Sequence, residues 1–147
     1  MSEMDLTGEI AQAVNGASLR GKTLALAYLG EDGYPSVSFR GSTQVHGVHE
    51  LALWARSADR GLAAAVAERP QVSLVYYGGP DGPGPMYLSF KGRAHLDPSA
   101  NDEVYAQMID GERAQDPDRN GVAVIIEVES VQGVGADGQF MLERATV

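Results

Sequence analysis

Between Thr23 and Val128 the apolar residues fall into short runs of strand length, each closed by glycine, proline or aspartate, with no regular alternation between strand-like and helix-like runs. Thr23 to Leu29 is nearly continuously apolar, Glu31-Asp32-Gly33 turns it, and Tyr34 to Phe39 returns in alternation, with Pro35 opening the second strand of a hairpin. Arg40 to Val45 extends that strand or forms a bulged continuation, His46 to Glu50 reads as a turn, and Leu51 to Trp54 pairs back. Val72 to Tyr77, Met86 to Leu96 and Val122 to Val128 are further strands, and Val131 to Leu142 makes a weaker last one around Ala136-Asp137-Gly138. Parallel strands need a crossover between each pair, which this order does not supply. The pattern therefore predicts an α+β fold, a mostly antiparallel closed barrel of six to seven strands.

Two or three short helices accompany it. Leu6, Ile10, Ala13, Val14 and Ala17 recur at helical spacing over Asp5 to Ala17, a lid on the barrel or on a second subunit, with Asn15-Gly16 as its stop. Leu62 to Arg69 is alanine-rich and ended by Pro70, with Ser57 or Asp59 able to cap it and its first N–H groups placed to face an anion. Asp97-Pro98-Ser99 opens a third helix from Ala100 to about Ile109, stopped by Asp110-Gly111.

At 147 residues the chain is expected to be a single domain, 1–147, burying roughly 70% of its unfolded surface. With no cysteine it has no disulfide framework and no thiolate nucleophile or metal site. A formal charge of −9 disfavours nucleic acid and anionic membranes as partners. Glu3 and Asp5 near the start and the lack of any long apolar run point to a soluble, cytoplasmic protein.

Against that acidic background, Phe39-Arg40-Gly41-Ser42-Thr43 and Trp54-Ala55-Arg56-Ser57-Ala58-Asp59-Arg60 set three arginines, several hydroxyls and one flat aromatic at the ends of adjacent strands. Arginines so placed bind a phosphate or pair with surface acids; Trp54 walls a site or fills a core; Ser42 and Thr43 serve a ligand or the strand. Other constellations are weaker. The glycines of Gly78 to Pro85 match no phosphate-loop fingerprint and read as a hairpin tip. His46, His49 and Glu50 lack a further convergent ligand, so no metal is expected. His95 reads as a strand-end residue, Asp116-Pro117-Asp118 as a solvated loop, and no Gly-x-Ser-x-Gly elbow exists.

The hairpin over Thr23 to Phe39, Trp54-Ala55-Arg56, the run Arg69-Pro70-Gln71-Val72-Ser73-Leu74 and Phe90-Lys91-Gly92-Arg93-Ala94 together resemble the pyridoxamine 5′-phosphate oxidase-like, FMN-binding split-barrel superfamily, over roughly Thr23 to Val128. The resemblance implies a split barrel and a homodimer with FMN sites at the subunit interface. Arg40, Gly41, Ser42 and Thr43 would then follow the ring and ribityl chain. Trp54, Ala55, Arg56 and Ser57 would follow the flavin edge and phosphate, and Arg60 the phosphate. Many members carry a basic Arg-Lys pair entering the helix; here Arg60 is followed by Gly61 and Leu62, which leaves the clamp one charge short. The implied activity is flavin-dependent oxidoreduction of a small-molecule substrate, with no catalytic acid or base assigned. The alternatives are an 8-hydroxy-5-deazaflavin-dependent reductase and a non-enzymatic protein binding flavin, haem or a pyridoxal vitamer. Oxidation of pyridoxamine 5′-phosphate itself is expected to be absent, because no second phosphate-binding set remains.

Overall fold

The computed structural model describes residues 2–144; Met1 and residues 145–147, part of the expected 1–147 domain, lie outside the described residues. In chain order the elements are β1 (Ser2–Glu3), α1 (Glu9–Asn15), β2 (Ala25–Leu29), β3 (Pro35–Phe39), β4 (Gln44–Gly47), β5 (Glu50–Ala55) and α2 (Leu62–Glu68). There follow β6 (Gln71–Gly78), β7 (Met86–Leu96), α3 (Asn101–Gln107), α4 (Asp110–Arg113), β8 (Val122–Gly135) and β9 (Gly138–Glu143), with single 3-10 turns at Ser18–Arg20 and Pro98–Ala100. The two strands beyond the expected number are β1 and β4, and the added helix is α4.

The ladder runs β3-β2-β6-β7-β8 in antiparallel pairs. β8 serves two partners along one edge: its first half pairs with β5, which carries β4, and its second half with β9, which carries β1 in parallel. Among the described residues no ladder joins β3 to β4, so the barrel expected to be closed is split there. The β7–β8 register shifts between Lys91 and Gly92, where β8 carries one extra residue, Glu129, as a bulge. Gly92 is required at that point, since a β-carbon there would lie 2.4 Å from the Glu127 carbonyl oxygen.

Two apolar clusters flank the sheet. The larger fills the barrel with Leu26, Leu51, Leu53, Leu74, Phe90 and Ile126, capped by α1 and α2. The smaller lies on the other face of β5 and β8, where Ala52, Trp54, Ala123 and Ile125 meet Val104 and Met108 at the α3 end. Being covered on both faces explains why β5 and the start of β8 read as unbroken apolar runs.

Four local expectations are corrected. The helix expected from Asp5 starts at Glu9, because the Asp5 carboxylate accepts from the Thr7 N–H and hydroxyl and holds a turn. The strand expected to continue from Arg40 to Val45 breaks, because the Arg40 carbonyl accepts from both the Thr43 N–H and its hydroxyl; Gln44–Gly47 is a new strand. Neither Ser57 nor Asp59 caps α2, which begins at Gly61 with no side-chain cap. The third helix stops at extended Met108, ahead of Asp110-Gly111, which instead opens α4; Arg113 secures this break by donating to the Ala106 and Met108 carbonyls and to Asp110. Asp97, in the segment expected to open the third helix, caps the Pro98–Ala100 3-10 turn that leads into it, its carboxylate accepting from the Ser99 N–H at 3.1 Å.

Candidate functional site

Arg40, Ala55, Arg56, Ser57 and Arg60 line one open cleft of about 400 Å³ together with Tyr28, Gly61 and Leu62. Its position follows from the chain path. Arg40 sits where the chain turns out of β3, held by its N–H donating to the Leu24 carbonyl at 2.9 Å and by the two Thr43 bonds to its own carbonyl. Arg56 to Gly61 is the loop from the end of β5 into α2, and Tyr28 faces inward from β2.

The electrostatics of this cleft are unusual for so acidic a chain. Among the described residues none of Arg40, Arg56 and Arg60 takes part in an ion pair; the pairs use Arg69, His95, Arg113, Arg119 and Arg144. Arg56 donates to Gln115 Oε1 at 3.3 Å and Arg60 to Ser57 Oγ at 3.4 Å, both neutral acceptors. The Arg40 Nε is buried without any partner. Burial lowers the Arg40 pKa below the usual arginine value; Tyr28 opposes that shift and the neighbouring Arg56 charge adds to it. Arginine nonetheless stays protonated, so the cleft holds an uncompensated cation with an unmet donor beside a second cation. An anion that accepts hydrogen bonds relieves both costs.

The remaining residues singled out from the sequence lie elsewhere. Gly41, Ser42 and Thr43 border a separate cavity of about 80 Å³ between the C-terminal end of α1 and residues 107–109. There the Ser42 hydroxyl accepts from the Trp54 N–H at 2.8 Å, and the Thr43 hydroxyl is bonded to the Arg40 carbonyl. Trp54 is 4% exposed and belongs to the smaller apolar cluster, edge-on to Tyr105 at 5.2 Å, with its indole N–H donating to Asp116 at 2.9 Å. Strand alternation is the reason: Ala55 faces the barrel and the cleft, so Trp54 faces the opposite side. Asp116, read from the sequence as a solvated loop residue, is buried and also accepts from the Asn120 and Gly121 N–H groups. It anchors the segment that brings Gln115 to Arg56 and Glu112 against Gly41.

Tyr28 was missed because it lies in an apolar run; its signal is that inward positions 24, 26 and 28 read Leu, Leu, Tyr. Gly61 and Leu62 enter the cleft as the N-cap and first residue of α2.

The split antiparallel barrel is the fold of solved structures that match most of the chain, a pyridoxamine 5′-phosphate oxidase-related protein among them. A pyridoxamine 5′-phosphate oxidase-related, FMN-binding protein from Nostoc punctiforme is 16% identical, with 95% of this chain and 91% of that one covered at a TM-score of 0.69. The general stress protein 26 of Bacillus anthracis is 14% identical over 94% and 98% of the two chains, at 0.63. An F420 reductase is 17% identical over 84% and 94%, at 0.60. No family model and no curated protein matches the chain.

Proposed function

We propose that this protein is a flavin-dependent oxidoreductase that holds the phosphate of FMN in the Arg40–Arg56–Arg60 cleft of a homodimer and serves a small-molecule substrate. The observation that carries this reading is the half-buried Arg40 guanidinium, unpaired and with a partnerless Nε, beside two further arginines without acidic partners. In this reading Arg40, which the resemblance would set along the ring and ribityl chain, instead supplies from a different strand the charge that the sequence lacks after Arg60. Ser57 and the loop amides add neutral donors. FMN, when bound, supplies the hydride and electron chemistry; the chain's part is to hold its phosphate, orient it and wall it with Ala55 and Leu62.

The FMN-binding Nostoc protein and the F420 reductase share the fold, which makes the deazaflavin the rival ligand. The cleft favours FMN. Its three arginines line one cleft, which suits a single phosphate, and among the described residues the cleft lining offers no additional cation for an acidic tail. Titration of the purified protein with FMN and with 8-hydroxy-5-deazaflavin, followed by absorbance and fluorescence, tests the proposal. Saturable micromolar binding of FMN is the expected result; preference for the deazaflavin moves the protein to that branch, and binding of neither removes the oxidoreductase assignment. FMN binding with no turnover under any reductant favours a carrier.

The dimer rests on an inverted strand. In β3 the apolar residues Val37 and Phe39 are 68% and 76% exposed, whereas Ser36 and Ser38 point inward. Cross-strand register extends this outer face through Ala25 and Val75 to Tyr77 and Tyr87, with Tyr77 75% exposed. A sheet face of this character is covered in a stable protein, and a second copy of the chain covers it with the same residues. Val37→Glu/Phe39→Glu is expected to convert a dimer to a monomer in analytical ultracentrifugation while the far-UV circular dichroism is retained. A wild-type monomer at micromolar concentration would refute the dimer.

A further inference from the structure

The phosphate reading of the cleft leaves one polar group unused, the Tyr28 hydroxyl. Tyr28 is held from both sides in the sheet, opposite Ser36 in β3 and Val72 in β6, and its ring packs on the barrel core. Its position is therefore fixed by the scaffold rather than by a loop. The hydroxyl points toward the loop that carries Arg60: a β-carbon on Gly61 would lie 3.9 Å from Tyr28 Oη. Gly61 adopts φ 59°, in the left-handed region that favours glycine, so the loop stays free of a side chain where the phenol approaches. Among the described residues the hydroxyl has no protein hydrogen-bond partner. It lines the same cleft as Arg40, Arg56 and Arg60.

We propose that Tyr28 is a specificity-determining residue: its O–H donates to the phosphate held by the three arginines and so selects a phosphorylated ligand over the same ligand without phosphate. A neutral donor suits this place better than a fourth cation. Arg40 already sits beside Arg56, and another positive charge would add repulsion, whereas a phenol adds a hydrogen bond to the anion without it. A site whose donors are left unpaired by the dephosphorylated molecule rejects it strongly. This inference rests on the phosphate reading of the cleft but not on the identity of the flavin.

Tyr28→Phe keeps the ring and its packing and removes only the donor. Wild-type and variant protein are titrated with inorganic phosphate by 31P NMR, and with FMN and riboflavin by fluorescence. The expected result is about a tenfold loss of phosphate and FMN affinity in the variant, unchanged riboflavin affinity and an unchanged melting temperature. Equal phosphate affinity in the two proteins overturns the inference, as does a parallel loss of riboflavin, which would mark a packing role. Wild-type protein that binds no phosphate overturns it as well. If phosphate binds and weakens in the variant while FMN binds to neither, the role of Tyr28 stands and the flavin assignment falls.

Discussion

Arg40→Ala/Arg56→Ala is expected to weaken FMN binding at least a hundredfold, while Arg40→Ala alone leaves the ligand-free protein as stable as wild type, or slightly more so. Each charge-assisted hydrogen bond to the phosphate contributes about 1.5–3 kcal/mol, so losing two places the effect at two orders of magnitude or beyond. The stability side has the opposite sign from that of an ordinary buried arginine. Arg40 is half-buried, its Nε has no partner, it takes part in none of the ion pairs among the described residues and the Arg56 charge disfavours its charged form, so its removal relieves the ligand-free fold rather than breaking it. Flavin fluorescence titration gives the first quantity and thermal melting with and without FMN the second. The double variant should lose the FMN-induced rise in melting temperature, and Arg40→Ala alone should keep the ligand-free melting temperature. Binding within threefold of wild type would show that the arginines do not hold the ligand.

Asp116→Ala is expected to lower the melting temperature by roughly 10 °C, the scale of about 3 kcal/mol in a chain of this size. The carboxylate is 6% exposed and satisfies three donors: the Trp54 indole at 2.9 Å and the Asn120 and Gly121 N–H groups, each at 2.9 Å. Removing it strands all three. Asp116→Asn should be nearly as damaging, because its NH2 would face an N–H. Burial raises the Asp116 pKa, but the bonds from Trp54, Asn120 and Gly121 and the Arg56 charge outweigh it, and the net shift is downward. A carboxylate held below its unfolded value stabilises the fold above that value and loses the contribution as pH falls through the lowered one. The gap in melting temperature between wild type and Asp116→Ala should therefore be full at pH 7 and narrow below about pH 4. Because the same segment presents Gln115 to Arg56, the variant should also weaken FMN binding modestly; a gap independent of pH would show that the carboxylate charge is not what holds the segment.

The elements most visible in the sequence are those specified by neighbours a few residues away. Met86–Leu96 is a strand over the residues its pattern outlines, Gln71–Gly78 extends the apolar run by one residue at each end, and α2 ends before Pro70 as proline demands. Boundaries differ from the pattern where side chains bond to nearby backbone: the Asp5–Thr7 turn delays α1, and the Thr43 bonds to the Arg40 carbonyl end β3. The same applies to β8, whose apolar pattern falters at Glu129-Ser130 yet continues as one strand because β7 and β9 pair with it there.

By itself, then, the sequence determined an antiparallel α+β barrel, its principal strands and the three arginines as a set worth attention, because periodicity, turn residues and charge contrast act over short stretches of chain. Only the tertiary structure decided that Arg40 joins Arg56 and Arg60 while Ser42, Thr43 and Trp54 turn into the protein, that Tyr28 enters the cleft, and that Asp116 is buried. Those outcomes depend on which strands pair and in what register across tens of residues, and a shift of one residue sends a side chain to the other face of the sheet.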